Sequence, residues 1–211
     1  MIELTTLLKR LPLIAVLRGI PVQDAETIGS ILIDTGFLCL EIPFNSPDPL
    51  KSIATLVKKF SNRALIGAGT ILNVQDVKKV ADVGGRLIIT PHTNVEIIQE
   101  AKRLQLLCIP GFSTPTEAFT AIAAGADALK LFPAEANPPA VLKSLMAVLP
   151  PGHPIFPVGS ITPEKMLDYY HAGAAGFCLG GALYRPNDSA EKVLKAAQQF
   201  VAVAKTLFKI N

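Results

Sequence analysis

The sequence predicts one α/β domain over residues 1–211, built as a (β/α)8 (TIM) barrel. Three observations carry that expectation. Short apolar runs of strand length recur eight times, their starts 24, 27, 22, 20, 21, 27 and 21 residues apart. Helical signatures fill the gaps, so strand and helix alternate throughout, as a parallel sheet closed by crossover helices requires. The chain is 50% hydrophobic and 18% charged, which provides a large core and excludes disorder. A doubly wound open sheet is the alternative, but at this length it normally uses fewer strands.

The elements follow in order. Leu4 to Arg10 reads as a short helix across the bottom of the barrel. Strands are expected at 13–17, 37–42, 64–67, 86–89, 106–109, 127–131, 154–158 and 175–179. Each is too short for an independent helix and is bounded by Gly or Pro. Most are apolar throughout, as parallel strands covered on both faces should be. Ala25, Ile28, Ile31 and Leu32 give the segment from Asp24 to Thr35 helical spacing. Asn73 is a capping residue, and Thr93-Asn-Val-Glu96 has the spacing of a capping box. Thr114 and Thr162 each precede a Pro in a first helical turn, where the missing N–H is harmless. Asp188 to Phe208 reads as a long closing helix. Gly36, Gly84, Gly125 and Gly173 stand where a helix must stop before the next strand.

Several function classes are excluded early. Twenty Lys+Arg against 17 Asp+Glu give a net charge of +3, with no long basic block to hold nucleic acid. Cys39, Cys108 and Cys178 have apolar neighbours and form no CxxC motif. They read as buried thiols of a reducing compartment. No apolar run approaches the roughly 18 residues that span a bilayer, and Met1-Ile2-Glu3-Leu4 lacks the architecture of a signal peptide. A cytoplasmic protein with no membrane partner is expected. Three scattered His without an HxH or HExxH pattern argue against a divalent-metal mechanism.

A barrel builds its active site at the C-terminal ends of its strands. The polar residues there are Arg18, Glu41, Thr70, His92 and Lys130, followed by the exits Val158-Gly159-Ser160 and Gly180-Gly181. Lys130 interrupts an apolar strand. A buried lysine titrates low and becomes a nucleophilic amine, which Schiff-base chemistry requires; a lysine snorkelling from a strand end, or paired with Glu41, is the other reading. Glu41 suits a general acid/base or a structural partner of Lys130 or Arg18. Arg18 suits a fork for a substrate carboxylate or a salt bridge across the barrel end. The two glycine exits fit an anion site made of main-chain N–H groups. Gly67-Ala-Gly69 is a third Gly-rich exit, without dinucleotide or Walker spacing.

Together these stretches resemble the 2-keto-3-deoxy-6-phosphogluconate and 2-keto-3-deoxy-6-phosphogalactonate aldolase family. The resemblance runs from Leu11 to about Phe200. It is carried by Ile14-Ala-Val-Leu-Arg-Gly19, Leu40-Glu-Ile-Pro-Phe-Asn-Ser-Pro47, Ile66-Gly-Ala-Gly-Thr70, Thr90-Pro-His92, Pro110-Gly111 and Leu129-Lys-Leu-Phe-Pro-Ala-Glu135. It implies a class I aldolase, with Lys130 as the Schiff-base lysine and Glu41 as general acid/base. Arg18 and Thr70 match residues that hold the keto-acid carboxylate, and Pro91 and Phe132 match residues that line the pocket. Val158, Gly159, Ser160, Gly180 and Gly181 match the substrate and phosphate end. The family is typically a homotrimer without metal or organic cofactor. Its partners are a phosphorylated keto-sugar acid and pyruvate.

Two departures stand out. The family usually carries Gly-Gly after strand 7 and Gly-Ser after strand 8, whereas this chain has Gly159-Ser160 and Gly180-Gly181. A Cβ at Ser160 either restricts the approach of an anion or demands an unusual backbone angle. Leu17-Arg-Gly-Ile20, Glu41 to Pro47 and Val158 look like the galactonate branch; gluconate-type relatives commonly carry Thr at the last position. The implied reaction cleaves 2-keto-3-deoxy-6-phosphogalactonate to pyruvate and glyceraldehyde 3-phosphate. The alternatives are the same cleavage of the gluconate epimer, a phosphate-binding barrel epimerase or isomerase using Glu41 as base, and a non-catalytic sugar-phosphate binding protein.

Overall fold

A computed structural model describes residues 4–210. Met1 to Glu3, part of the segment read for a signal peptide, lie outside the described residues, as does Asn211 at the end of the expected domain. The architecture is α/β with a curled parallel sheet. Strands β1 (Leu13–Val16), β2 (Cys39–Pro43), β3 (Leu65–Gly69), β4 (Leu87–Ile89), β5 (Leu107–Ile109) and β9 (Phe177–Leu179) form one sheet in the order β5-β4-β3-β2-β1-β9. Strands β6 (Gly111–Phe112), β7 (Leu129–Leu131) and β8 (Ile155–Pro157) form a second, in sequence order. Every pairing is parallel.

The fifth expected strand, 106–109, is found as β5, and a short further strand that was not expected, β6, follows it after Pro110. Pro110 has no N–H to give to a ladder, so β5 ends against β4 and β6 begins against β7. The Pro110 carbonyl still accepts the Lys130 N–H at 2.9 Å, and Cys108 O accepts from Asp127 N at 3.0 Å. At the other seam Val158 bridges Cys178 in parallel, and Ala175 N donates to Ile155 O at 2.9 Å.

Helices lie between the strands. Helix α1 (Leu4–Arg10) matches the expected leading segment, and α2 (Val22–Thr35) ends at Gly36, whose φ of 114° lets its N–H return to Ile33 O. Two helices without a strong sequence signature are present, α3 (Pro49–Phe60) and α7 (Pro139–Met146). Asn73 caps α4 (Val74–Asp82), accepting from Asp76 N. The capping box expected at Thr93 is not formed: Asn94 caps α5 (Val95–Arg103) by accepting from Ile97 N. Thr93 Oγ1 instead donates to Gly111 O at 2.9 Å, because the chain here lies beside the start of β6. Thr114 and Glu117 form a full capping box on α6 (Pro115–Ala123). Helices α8 (Pro163–His171) and α9 (Ala190–Phe208) complete the order.

The core has two layers, and strand parity decides which residue enters each. Leu13 and Ala15 join the larger cluster between sheet and helices, while Ile14 and Val16 join a smaller cluster inside the curl. Leu7 of α1 belongs to the inner cluster and closes its lower end. Cys39 and Leu65 are inner residues on β2 and β3, as is Ala128 just before β7. All three thiols are free and buried. Burial pushes Cys108 and Cys178 up to about 12, and Cys39 well above the ordinary thiol value.

Candidate active site

Parity also explains the reactive pair. Glu41 lies two residues beyond inner Cys39, and Lys130 two beyond inner Ala128, so both point into the curl near its C-terminal mouth. Glu41 is 1% and Lys130 4% exposed. Among the described residues they are the only buried side chains of the Asp, Glu, Lys, Arg and His types. Burial raises the Glu41 carboxyl from 4.5 to about 7, against the opposing pull of the Lys130 and Arg18 charges. Its Oε2 is buried without a hydrogen-bond partner. The Lys130 ammonium stands 4.9 Å from the centre of the Phe132 ring, a cation–π contact.

Glycine makes room for the carboxylate. Glu41 is in register with Gly67, and Gly69 lies two residues further on the same face. A Cβ on Gly69 would lie 1.8 Å from Glu41 Oε2 and 2.3 Å from its carboxyl carbon. The third Gly-rich exit therefore serves the acid of β2.

Beside Lys130 lies a cavity of about 150 Å³, with Glu41 behind its wall rather than in it. Its wall includes Arg18, Lys130, Phe132 and Val158, with Gly159, Ser160, Gly180 and Gly181 at one end. It is smaller than hollows on the outer surface, such as one of about 330 Å³ near α7 and α8. Those hollows hold no buried reactive pair, so chemistry rather than volume identifies the site. Arg18 Nη1 donates to Asn45 Oδ1 at 2.6 Å, and Nη2 approaches Thr70 Oγ1 at 3.4 Å. Gly19 N, next in the chain, donates to Ser46 Oγ at 2.8 Å. The exit of β1 is thus latched to residues 45 and 46 at two points. Thr70 meets the site through Arg18 and is not in the cavity wall. Pro91 is also absent from that wall; its main chain packs on Gly111, where a Cβ would lie 2.4 Å from the Pro91 carbonyl carbon.

The glycine exits form the other end. Ser160 has φ 45° and Gly159 φ 121°, so the unusual backbone angle expected at Ser160 is present. The Ser160 hydroxyl donates to Glu135 at 2.5 Å, and Lys165 Nζ donates to Ser160 O at 2.9 Å. After β9, Leu183 N and Tyr184 N both return to Gly180 O, making a helix-like turn that leaves its leading N–H groups without internal acceptors. Arg185 Nε donates to Gly181 O at 2.8 Å.

Asn45, Ser46, Gly69, Glu135 and Arg185 were not singled out as site residues from sequence. Four of them, Asn45, Ser46, Gly69 and Glu135, lie within the stretches that carry the family resemblance, but each of the four acts on a residue far away in the chain.

Comparison with known proteins identifies the arrangement. A model of the aldolase family described as KDPG and KHG aldolase matches residues 4–199. The chain belongs to that family. The 2-dehydro-3-deoxy-6-phosphogalactonate aldolase of Escherichia coli (strain K12) is 45% identical over 192 residues, covering 91% of this chain and 94% of the relative. Among solved structures, one described as native KDPGal superposes with a TM-score of 0.93 at 43% identity, covering 95% of this aldolase and 97% of its neighbour. A second, a cube-shaped protein cage designed by fusing symmetric oligomeric domains, gives 0.93 at 44% identity over 94% of this chain and 74% of the cage chain.

Proposed function

We propose that this family member is a class I aldolase cleaving 2-keto-3-deoxy-6-phosphogalactonate to pyruvate and glyceraldehyde 3-phosphate. The observation that carries the reading is a buried lysine and a buried carboxyl, Lys130 and Glu41, brought by strand parity to the mouth of the curled sheet. The Lys130 amine adds to the C2 ketone, and the carbinolamine loses water to give an iminium ion. Glu41, directly or through one water, takes the C4 hydroxyl proton. The C3–C4 bond breaks, its electron pair flows into the iminium to leave an enamine, and glyceraldehyde 3-phosphate departs. A proton returns to C3 and water hydrolyses the imine, releasing pyruvate and the free lysine. A carboxyl near 7 holds both forms at neutral pH, which suits a group that gives and takes one proton per turnover.

Arg18, held by Asn45 and Thr70, orients the keto-acid carboxylate as a charged fork. Phe132 borders the pyruvyl end, while Pro91 supports it from outside the cavity wall through its packing on Gly111. The Gly159-Ser160 and Gly180-Gly181 exits hold the phosphate through main-chain N–H groups. Val158 sets an apolar surface beside the bond that breaks, and the 45% identity to the galactonate enzyme favours that epimer.

The chain is proposed to fold as one domain whose two sheets complete a (β/α)8 barrel, a reading supported by the main-chain bonds across both seams. It is further proposed to act in the cytoplasm, consistent with three free thiols, and to assemble as a homotrimer. The symmetric oligomeric domains of the cage neighbour and the exposed apolar side chains of Leu72, Val95 and Phe119 support the assembly.

The test is borohydride reduction in the presence of pyruvate, followed by peptide mass mapping. A reduced pyruvate adduct on Lys130 is the expected result. Pyruvate binding without any adduct would overturn the reaction class. The ratio of kcat/KM for the two C4 epimers decides the substrate.

A further inference from the structure

We propose that Glu135 is a positioning residue for the phosphate end, presetting the turn after β8 by holding the Ser160 hydroxyl. The inference rests on the reading of Gly159-Ser160 as part of a phosphate site.

The turn is strained where it meets the cavity. Ser160 is a non-glycine residue at φ 45°, in the left-handed region that L side chains rarely adopt. Such a conformation persists when its surroundings over-determine it. Here the Ser160 hydroxyl donates to Glu135 Oε1 while Lys165 Nζ donates to the Ser160 carbonyl at 2.9 Å. The other carboxylate oxygen occupies the space that Gly159 leaves open: a Cβ on Gly159 would lie 2.2 Å from Glu135 Oε2. Glu135 thus grips two consecutive residues of the turn at once.

The grip is itself anchored. Glu135 sits in the single turn Ala134–Ala136, and Ala134 N donates to Val158 O at 2.8 Å. The buried Tyr169 hydroxyl lies 2.9 Å from Ala134 O and 3.1 Å from Asn137 O. The exits of β7 and β8 are therefore tied together, by Glu135 at the turn itself and by Tyr169 behind it. A chemical consequence follows for Ser160. Its single hydroxyl proton is committed to Glu135, so this exit offers an anion main-chain N–H groups and no hydroxyl donor. The serine that has changed loops relative to the family pattern acts as a strut.

The test compares Glu135→Ala, Glu135→Gln and Ser160→Ala in steady-state cleavage and in pyruvate trapping. A charge-assisted hydrogen bond is lost in Glu135→Ala, and KM for the phosphorylated keto acid should rise about tenfold with kcat changed less than about twofold. Ser160→Ala should match it, and the double variant should be no worse than either single one, because both remove the same contact. Glu135→Gln keeps an acceptor oxygen and should return KM to within about threefold of the parent. Borohydride trapping with pyruvate alone, which leaves the phosphate end empty, should read the same in Glu135→Ala as in the parent. An unchanged KM in Glu135→Ala, equal impairment in Glu135→Gln, or an equal loss of pyruvate trapping would each overturn the proposal. Equal KM values for phosphorylated and unphosphorylated keto acids in the parent would remove the phosphate site itself, and the inference with it.

Discussion

Replacing Glu41 by Gln should make the protein more stable and the enzyme far slower. Burial lifts this carboxyl from 4.5 to about 7. At about 1.4 kcal/mol per pH unit, ionised Glu41 costs the folded state about 3 kcal/mol. The sign follows from proton binding. Below pH 4.5 the carboxyl is protonated in folded and unfolded chains alike. Between 4.5 and about 7 only the folded chain holds the proton, so this group's contribution to stability falls as pH rises. Above 7 the cost is present in full. The amide of Gln has nearly the same shape and no charge, although its loss leaves Lys130 without an opposing carboxylate. A net gain of about 1–3 kcal/mol is therefore expected at pH 8, and for a chain of this length that raises Tm by about 2–12 °C. At pH 4 the gain should nearly vanish, since the carboxyl is then largely protonated in the folded and unfolded chains alike. Thermal unfolding at the two pH values measures the difference. A Gln variant that is destabilised at pH 8, or that differs from the parent equally at both pH values, would refute the account of Glu41 as a buried carboxyl strained by its own charge. In the same variant kcat should fall by about 10² or more, the usual contribution of a positioned acid/base.

The remaining expectations follow from the same geometry. The kcat/KM profile of the parent should rise with pH through an apparent value near 7, because cleavage needs the ionised carboxylate; Glu41→Gln should flatten that limb, and an unchanged limb would assign it to another group. Lys130→Met should abolish borohydride trapping with pyruvate while circular dichroism and Tm stay close to the parent, and a retained adduct would move the nucleophile elsewhere. Gly69→Ala puts a carbon where the Glu41 carboxylate now lies, so kcat should fall about as far as in Glu41→Gln; wild-type turnover would show that the carboxylate need not sit there. Asn45→Asp gives Arg18 a permanent anionic partner in place of a neutral one. In the synthesis direction KM for pyruvate should rise about tenfold, and an unchanged value would separate Arg18 from carboxylate binding.

Sequence carries the alternation of strands and helices because each apolar run must bury both faces, and that demand is written locally. It carries Lys130 and Glu41 for the same reason: a charge inside such a run contradicts its surroundings. The break at Pro110 is also a local property, yet its effect depends on which neighbours the ladder would have joined. The capping residue at α5 is Asn94 rather than Thr93 because Gly111, at the start of β6, draws the threonine hydroxyl away. Asn45, Gly69 and Glu135 act across gaps in the chain, on Arg18, Glu41 and Ser160 respectively. Nothing in their immediate neighbours distinguishes a carboxylate that props a turn from one that merely faces water. Ser160 itself was legible as a departure, but its hydrogen-bond partner, 25 residues earlier, was not.

The three thiols give the molecule an internal clock. Thiolate is the form that reacts with alkylating and oxidising reagents, and with Cys108 and Cys178 pushed up to about 12 almost none exists at neutral pH in the folded chain. Cys39 and Cys178 lie inside the curl and Cys108 in the layer outside it, so no one loop movement uncovers all three. Each reacts only when its own strand parts from its neighbours. The rate at which label accumulates at each position therefore times the opening of the inner and outer layers separately, on the unmodified wild-type chain.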